Sequence, residues 1–144
     1  MYISLEPQAI CESFTMYLGY CAEDTLDLDF QSNYTPGSKT LVFSADPLQL
    51  TASGTGDWVT IELDEPFWYN GVDNLIIDCQ WNNANDDNSF YASQWASARN
   101  TCVYEYNTPQ HSHTRTSEVP YMIISGAQML ENGTFASIKV LLGV

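Results

Sequence analysis

The segment Asn82 to Asn88 concentrates side chains that bind hard cations. It reads Asn-Asn-Ala-Asn-Asp-Asp-Asn, so six of its seven residues carry a side-chain oxygen. Ca²⁺ prefers such ligands, although the spacing differs from that of an EF-hand. A polar turn is the alternative, because Asn and Asp are favoured in turns for backbone reasons. The candidate Ca²⁺ ligands are Asn85, Asp86, Asp87 and Asn88, with a second, weaker cluster at Asp24, Asp27 and Asp29.

Two histidines offer a different kind of metal chemistry. His111 and His113 flank Ser112, which places both imidazoles on one side of an extended chain. A transition-metal site needs a further ligand, and the sequence does not place one. The pattern favours exposed histidines in a polar loop.

A third group of residues has the chemistry to bind sugars. Flat aromatic faces stack on sugar rings, and neighbouring Asn, Asp and Gln side chains supply hydrogen bonds. Large aromatics also fill cores, and strand alternation could direct Trp58 and Trp81 inward. The aromatics nearest to predicted turns are the candidate ligand-binding residues, namely Trp68, Tyr69, Tyr91 and Trp95.

The chain contains no G-x-S-x-G and no H-E-x-x-H motif. Paired carboxylates of a glycoside hydrolase remain a distant alternative, since Asp64 with Glu62, or Asp78, could face each other across a sheet. We expect a non-enzymatic protein with no catalytic residues.

Charge restricts the partners. The 144 residues carry 18 acidic against 4 basic side chains, a net charge of −14. The basic residues Lys39, Arg99, Arg115 and Lys139 are scattered, so we expect no nucleic-acid partner. The chain has no apolar run long enough to cross a bilayer, and we expect no membrane insertion. Glycans, cations and protein surfaces remain as partners.

The cysteines and the composition point to export. Low lysine content, abundant Asn, Ser and Thr, and four cysteines are consistent with an extracellular or cell-surface location. Four cysteines allow three disulfide connectivities. The separations make the local pairs Cys11–Cys21 and Cys79–Cys102 plausible, while a buried core thiol at Cys79 is an equal alternative.

Hydrophobic periodicity predicts an all-β chain. Phe14, Met16 and Leu18 alternate with Thr15 and Tyr17, and Val59, Ile61 and Leu63 alternate with polar residues. We expect Asn70-Gly71 to close a hairpin whose return strand is Leu75 to Trp81. With the further strands, this predicts one domain over residues 1–144, a two-sheet, antiparallel, jelly-roll-like β-sandwich. The further strands are Thr40 to Phe43, Ser89 to Ser93, Thr101 to Tyr106, Pro120 to Ser125 and Thr134 to Leu142.

A family resemblance accompanies this pattern over about half of the chain. The ordered motifs are Phe14 to Gly19, Leu41 to Phe43, Gly56 to Ile61, Pro66 to Gly71 and Asp73 to Ile77. They resemble the β-sandwich accessory or adhesin modules of secreted bacterial surface proteins with C-terminal sorting signals. The resemblance implies an adhesive or structural role, often carbohydrate-binding, and no catalytic residues.

These observations favour an extracellular adhesion or assembly module of a surface protein or filament. The alternative is a carbohydrate-binding module that uses the aromatics near loops, and a glycoside hydrolase is more distant. Family modules carry further early strands, so we expect Thr134 to Leu142 to cover the edge that those strands leave. It would do so within the chain or by donation to a neighbour, which makes self-association through strand edges an expectation.

Overall fold

The computed structural model describes residues 8–51, 58–82, 94–96, 98–99, 101–105, 113–116, 118–120, 122–129 and 132–141. Helix in these ranges is limited to the 3₁₀ turn Gln31–Asn33. The remaining regular structure is antiparallel β-sheet, which confirms the all-β prediction. The strands are β1 (Gln8–Cys21), β2 (Thr40–Ala45), β3 (Leu48–Thr51), β4 (Trp58–Tyr69), β5 (Asn74–Asn82), β6 (Gln94–Ala96), β7 (Cys102–Glu105), β8 (His113–Thr116), β9 (Glu118–Pro120), β10 (Met122–Met129) and β11 (Asn132–Leu141).

Strand β1 supplies most of the described core. Successive side chains of a strand point to opposite faces, so Phe14, Met16 and Leu18 share one face, and they are 2%, 1% and 0% exposed. Val42 of β2 and Ile61 of β4 pack into the same cluster. The inward-facing side chains of β5 pack against this cluster, as the alternation predicts. They are Leu75, Ile77 and Cys79.

The long strand β1 pairs on both sides. Strand β5 runs along one side, with Met16 opposite Cys79 and Cys21 opposite Asn74. Strands β2 and β3 follow one another on β1, pairing with Phe14–Leu18 and Gln8–Cys11 respectively. Strand β3 was not predicted from the sequence.

A corner separates the two halves of β1. Ser13 has a φ of 51°, in the left-handed region, and the β1–β5 register shifts between Glu12 and Thr15. The backbone amide of Ser13 donates a 2.8 Å hydrogen bond to Oδ1 of Asp46, in the turn between β2 and β3. Bulges of this kind let a strand change direction. The hydrogen bond therefore holds the bend in β1 next to the turn that separates β2 from β3.

A second sheet has the strand order β10-β11-β4. Strand β11 is paired on both sides, with Ile138 opposite both Ile124 of β10 and Ile61 of β4. The late strand thus pairs within the chain, the first of the two arrangements that the sequence analysis left open. Two short pairs, β6 with β9 and β7 with β8, complete the described strands.

The predicted hairpin at Asn70-Gly71 is wrong. Strand β4 pairs with β11, and strand β5 pairs with β1, so the turn passes from one sheet to the other. Oδ1 of Asn70 accepts hydrogen bonds from the amides of Val72 and Asp73, at 3.0 and 3.1 Å, and Gly71 has a φ of 73°. The turn residues were identified correctly, but turn chemistry does not determine which strand the returning chain joins.

Candidate functional site

Three tryptophans are widely exposed on the strands. Trp58 is 43% exposed, Trp68 is 49% exposed and Trp81 is 44% exposed. Trp58 and Trp68 belong to β4, whereas Trp81 lies near the end of β5 and stacks on Phe14 with ring centroids 6.3 Å apart. The expectation that Trp58 and Trp81 point inward is met only in part, because each leaves more than two-fifths of its surface exposed.

The predicted sugar-binding aromatics have different surroundings. Trp68 is exposed, and its carbonyl oxygen accepts a 2.6 Å hydrogen bond from the hydroxyl of Tyr20. Tyr69 is half-buried, packs against the core, and donates its hydroxyl proton to the carbonyl of Asp73 at 2.7 Å. Trp95 lies on β6, where only the backbone is described, and Tyr91 lies outside the described residues. The structure therefore offers Trp68, and not Tyr69, as an exposed ring.

The principal Ca²⁺ candidate, Asn85 to Asn88, also lies outside the described residues and stays a prediction. The second cluster lies in the loop after β1, where Asp27 and Asp29 bind the loop itself and Asp24 accepts from Asn74 and Arg99. Oδ1 of Asp27 accepts from the amide of Asp29 at 3.0 Å, and Oδ1 of Asp29 accepts from the amide of Gln31 at 3.1 Å. Within the described part of the chain, no three Asp, Glu, His or Cys side chains converge to hold a metal ion.

The loop between β1 and β2 builds a polar network that the sequence analysis did not find. Nζ of Lys39 lies 2.9 Å from Oδ2 of Asp78 on β5, and the side chains of this pair are only 22% and 15% exposed. The same carboxylate oxygen accepts the Tyr34 hydroxyl proton at 2.9 Å and an amide proton of Gln80 at 3.1 Å. The Lys39 ammonium also lies 4.5 Å from the ring centroid of Tyr17 and 4.9 Å from that of Tyr34.

The charges in this network are compensated by neighbouring groups. Partial burial penalises an unpaired charge, and Asp78 is compensated by the ammonium of Lys39 and by two neutral donors. The two tyrosine rings present their negative faces to the ammonium. Burial, and then the negative charge of Asp78, raise the pKa of Tyr34 well above its usual value, so its hydroxyl remains a donor.

A glycine makes room for the network. A Cβ on Gly19 would lie 2.6 Å from ring atoms Cδ1 and Cε1 of Tyr34, so the ring packs directly on the backbone of β1. Backbone bonds seat the same loop, since the amide of Thr35 donates to the carbonyl of Tyr20 at 2.8 Å. Two features of the sequence could have indicated this network. They are a glycine inside a strand and a lysine in a chain with only four basic residues.

Two of the three carboxylates weighed for hydrolysis have structural partners. Oδ2 of Asp64 accepts the amide proton of Ser44 at 3.0 Å, across from β4 to β2. Asp78 belongs to the network with Lys39 and Tyr34. Asp64 and Asp78 thus lie in different sheets, each holding a neighbouring segment in place.

The cysteines do not form the local pairs Cys11–Cys21 and Cys79–Cys102 that their separations made plausible. All four are free thiols. Cys11 lies near the start and Cys21 at the end of the same strand, β1, so about 30 Å of strand separates them. A disulfide spans at most about 7 Å between Cα atoms. Burial raises the pKa of the Cys79 thiol to about 12 and that of Cys11 above its usual value, as expected for core thiols.

A second pairing, between Cys21 and Cys79, is also too long. Asn74 lies opposite Cys21, so Cys79 is displaced by about 17 Å along β5. Cys11 lies nearer to Cys79, and its charge contributes to the raised pKa of the Cys79 thiol. The strand register therefore excludes the disulfides Cys11–Cys21 and Cys21–Cys79.

Comparison of the chain with protein-family models, with curated proteins and with solved structures found no match. No helix among the described residues is long and apolar enough to cross a membrane.

Proposed function

We propose that the chain is a non-catalytic, extracellular adhesion or assembly module of a surface protein or filament, and that it binds through its exposed tryptophans. The observation that supports this most is the exposure of Trp58, Trp68 and Trp81, each above two-fifths. Tryptophan is over-represented among the residues that dominate binding energies at interfaces. An acidic surface that carries such rings suits a neutral or basic partner.

The architecture proposed for this module is a two-sheet sandwich. The β1-containing sheet and the β4-containing sheet contribute to one core, since Met16 and Leu18 cluster with Ile61 and Phe67. The Ser44–Asp64 hydrogen bond ties β2 to β4 along one side. Both observations support face-to-face packing, in which inward residues of the two sheets interdigitate.

Carbohydrate binding is the second candidate. Trp68 supports it, because its exposed ring lies one residue before Tyr69 and close to the polar turn that Asn70 and Asp73 form. A flat ring beside amide and carboxylate groups offers stacking and hydrogen bonding to one sugar. Adhesion to a protein surface, in contrast, would require only the exposed ring of Trp68 and not the polar groups beside it.

The test compares single alanine variants of the three tryptophans with a control. Light scattering reports self-association over a range of concentrations, and a glycan array reports sugar binding. We expect at least one of Trp58→Ala, Trp68→Ala and Trp81→Ala to weaken the observed binding by about tenfold or more. Thr60→Ala, an exposed change on the same strand as Trp58 and Trp68, should leave it unchanged. Binding that survives all three tryptophan changes would refute the proposal.

A further inference from the structure

A cleft lies between the acidic loop after β1 and the start of β5. Its volume is about 350 Å³, within the range of small-molecule sites. Asn74, at the first position of β5, holds the loop above the strand by donating to the carbonyl of Glu23 at 3.1 Å and to Oδ1 of Asp24 at 3.3 Å. Arg99 and Thr101 also line the cleft. The cleft therefore has walls from three separate segments.

The lining of the cleft combines apolar and polar groups. Leu26 and Ile76 are half-buried and give it an apolar surface. The polar groups form a hydrogen-bonded row in which Arg99 donates to Oδ2 of Asp24 and Asn74 donates to Oδ1. Ionised Asp only accepts, Arg only donates, and Asn does both, so acceptors and donors alternate along this row.

The charges select a neutral ligand. Asp24 and Arg99 form an ion pair whose side chains are 62% and 58% exposed, so both remain accessible at the rim. An anion would meet the carboxylates of Glu23 and Asp24 in a chain of net charge −14, and a cation would have to displace Arg99. Adjacent hydroxyl groups on a sugar ring each donate and accept, and the C–H face of the ring is apolar.

We infer that this cleft binds one neutral sugar unit, with the ring hydroxyls on Asp24, Asn74 and Arg99 and the C–H face on Leu26 and Ile76. The inference rests on the carbohydrate-binding form of the proposed function, but it uses none of the exposed tryptophans. Binding in the cleft and binding by the exposed tryptophans can therefore be disproved separately.

The experiment is a nuclear magnetic resonance titration of the ¹⁵N-labelled full chain. The probes are glucose, galactose, mannose, N-acetylglucosamine, cellobiose and maltose at millimolar concentration. We expect at least one sugar to shift the Asn74 side-chain amide and the backbone amides of Leu75 to Ile77. Added sodium chloride should leave the affinity unchanged, because a neutral ligand makes no ionic contact to screen.

Two substitutions in the cleft and one control substitution test where the sugar binds. Asp24→Asn and Thr101→Val should each weaken the binding, the first by about tenfold, since it removes a charged hydrogen-bond acceptor. Glu62→Gln makes the same charge change as Asp24→Asn at an exposed position on β4 and should have no effect. The inference is overturned if no sugar shifts these resonances, if both cleft variants bind normally, or if salt abolishes binding. A glycan-array signal that only Trp68→Ala removes would leave the proposed function standing without the cleft.

Discussion

The ring of Tyr34 occupies the space that a side chain at residue 19 would need, with its Cδ1 atom 2.6 Å from the ideal Cβ position of Gly19. This contact seats the loop between β1 and β2 on the outer face of the sheet. The same ring shields the Lys39–Asp78 pair, whose ammonium lies 4.9 Å from its centroid. One glycine thus sets the geometry of the partly buried polar network.

Gly19→Ala should destabilise the fold by about 1–3 kcal/mol, because the added methyl displaces the Tyr34 ring and strains its bond to Asp78. Urea denaturation measures the change. In a double-mutant cycle with Tyr34→Ala, the alanine at position 19 should cost much less once the ring is gone. Equal costs in both backgrounds would show that the ring contact is unimportant.

Removing one partner of the Lys39–Asp78 pair should also destabilise the chain. Lys39→Met leaves a carboxylate with only neutral donors in a site that is 15% exposed, and we expect a loss of about 1–3 kcal/mol. Arg99→Gln breaks the exposed pair with Asp24 and is the control, for which we expect little change, since water screens exposed ion pairs. Similar losses in both variants would contradict the assigned role of burial.

The corner at Ser13 gives a third prediction. Asp46→Ala removes the acceptor of the Ser13 amide and should cost about 1 kcal/mol, whereas Asp46→Asn keeps an oxygen there and should cost less. Ser13→Gly should be tolerated or stabilising, since glycine adopts a φ of 51° without the strain that serine bears. Thermal unfolding distinguishes the three variants. A destabilised Ser13→Gly variant would contradict the backbone explanation.

Disulfide mapping tests the register of β1 and β5. After oxidation, denaturation and alkylation without reductant, the monomer should yield no Cys11–Cys21 and no Cys21–Cys79 disulfide peptide, because the strands hold each pair too far apart. Mass spectrometry of the digested monomer reports the result. Either peptide would show that the register is wrong.

Alkaline pH should weaken the fold. The folded pKa of Tyr34 lies above its unfolded value near 10, so its contribution is complete below about pH 10 and is lost as the pH rises above that value. Cys79 has the same sign, with a folded pKa of about 12 against 9.0 for the ordinary thiol. Urea unfolding followed by circular dichroism from pH 8 to pH 12 measures the loss. The free energy of unfolding should decline less steeply with pH in Tyr34→Phe. An unchanged slope in this variant would contradict the role assigned to Tyr34.

Local sequence patterns predicted several elements well. Period-2 alternation placed the inward faces of β1, β4 and β5, because a strand with one buried face must alternate. Asn70-Gly71 was correctly read as a turn, because the needs of its backbone are local. The same reasoning failed to pair the strands that flank this turn, since pairing depends on contacts between distant segments.

The sequence by itself determined the β-rich character of this chain, its acidic surface and the residues that face inward, all of which follow from composition and side-chain period. Only the tertiary structure decided that β11 lies between β10 and β4, and that Cys11 and Cys21 cannot meet. It also decided that Tyr34, Lys39 and Asp78 share one network. Lys39 and Asp78 are 39 positions apart in the chain, and no periodic pattern encodes a contact that only loop docking creates.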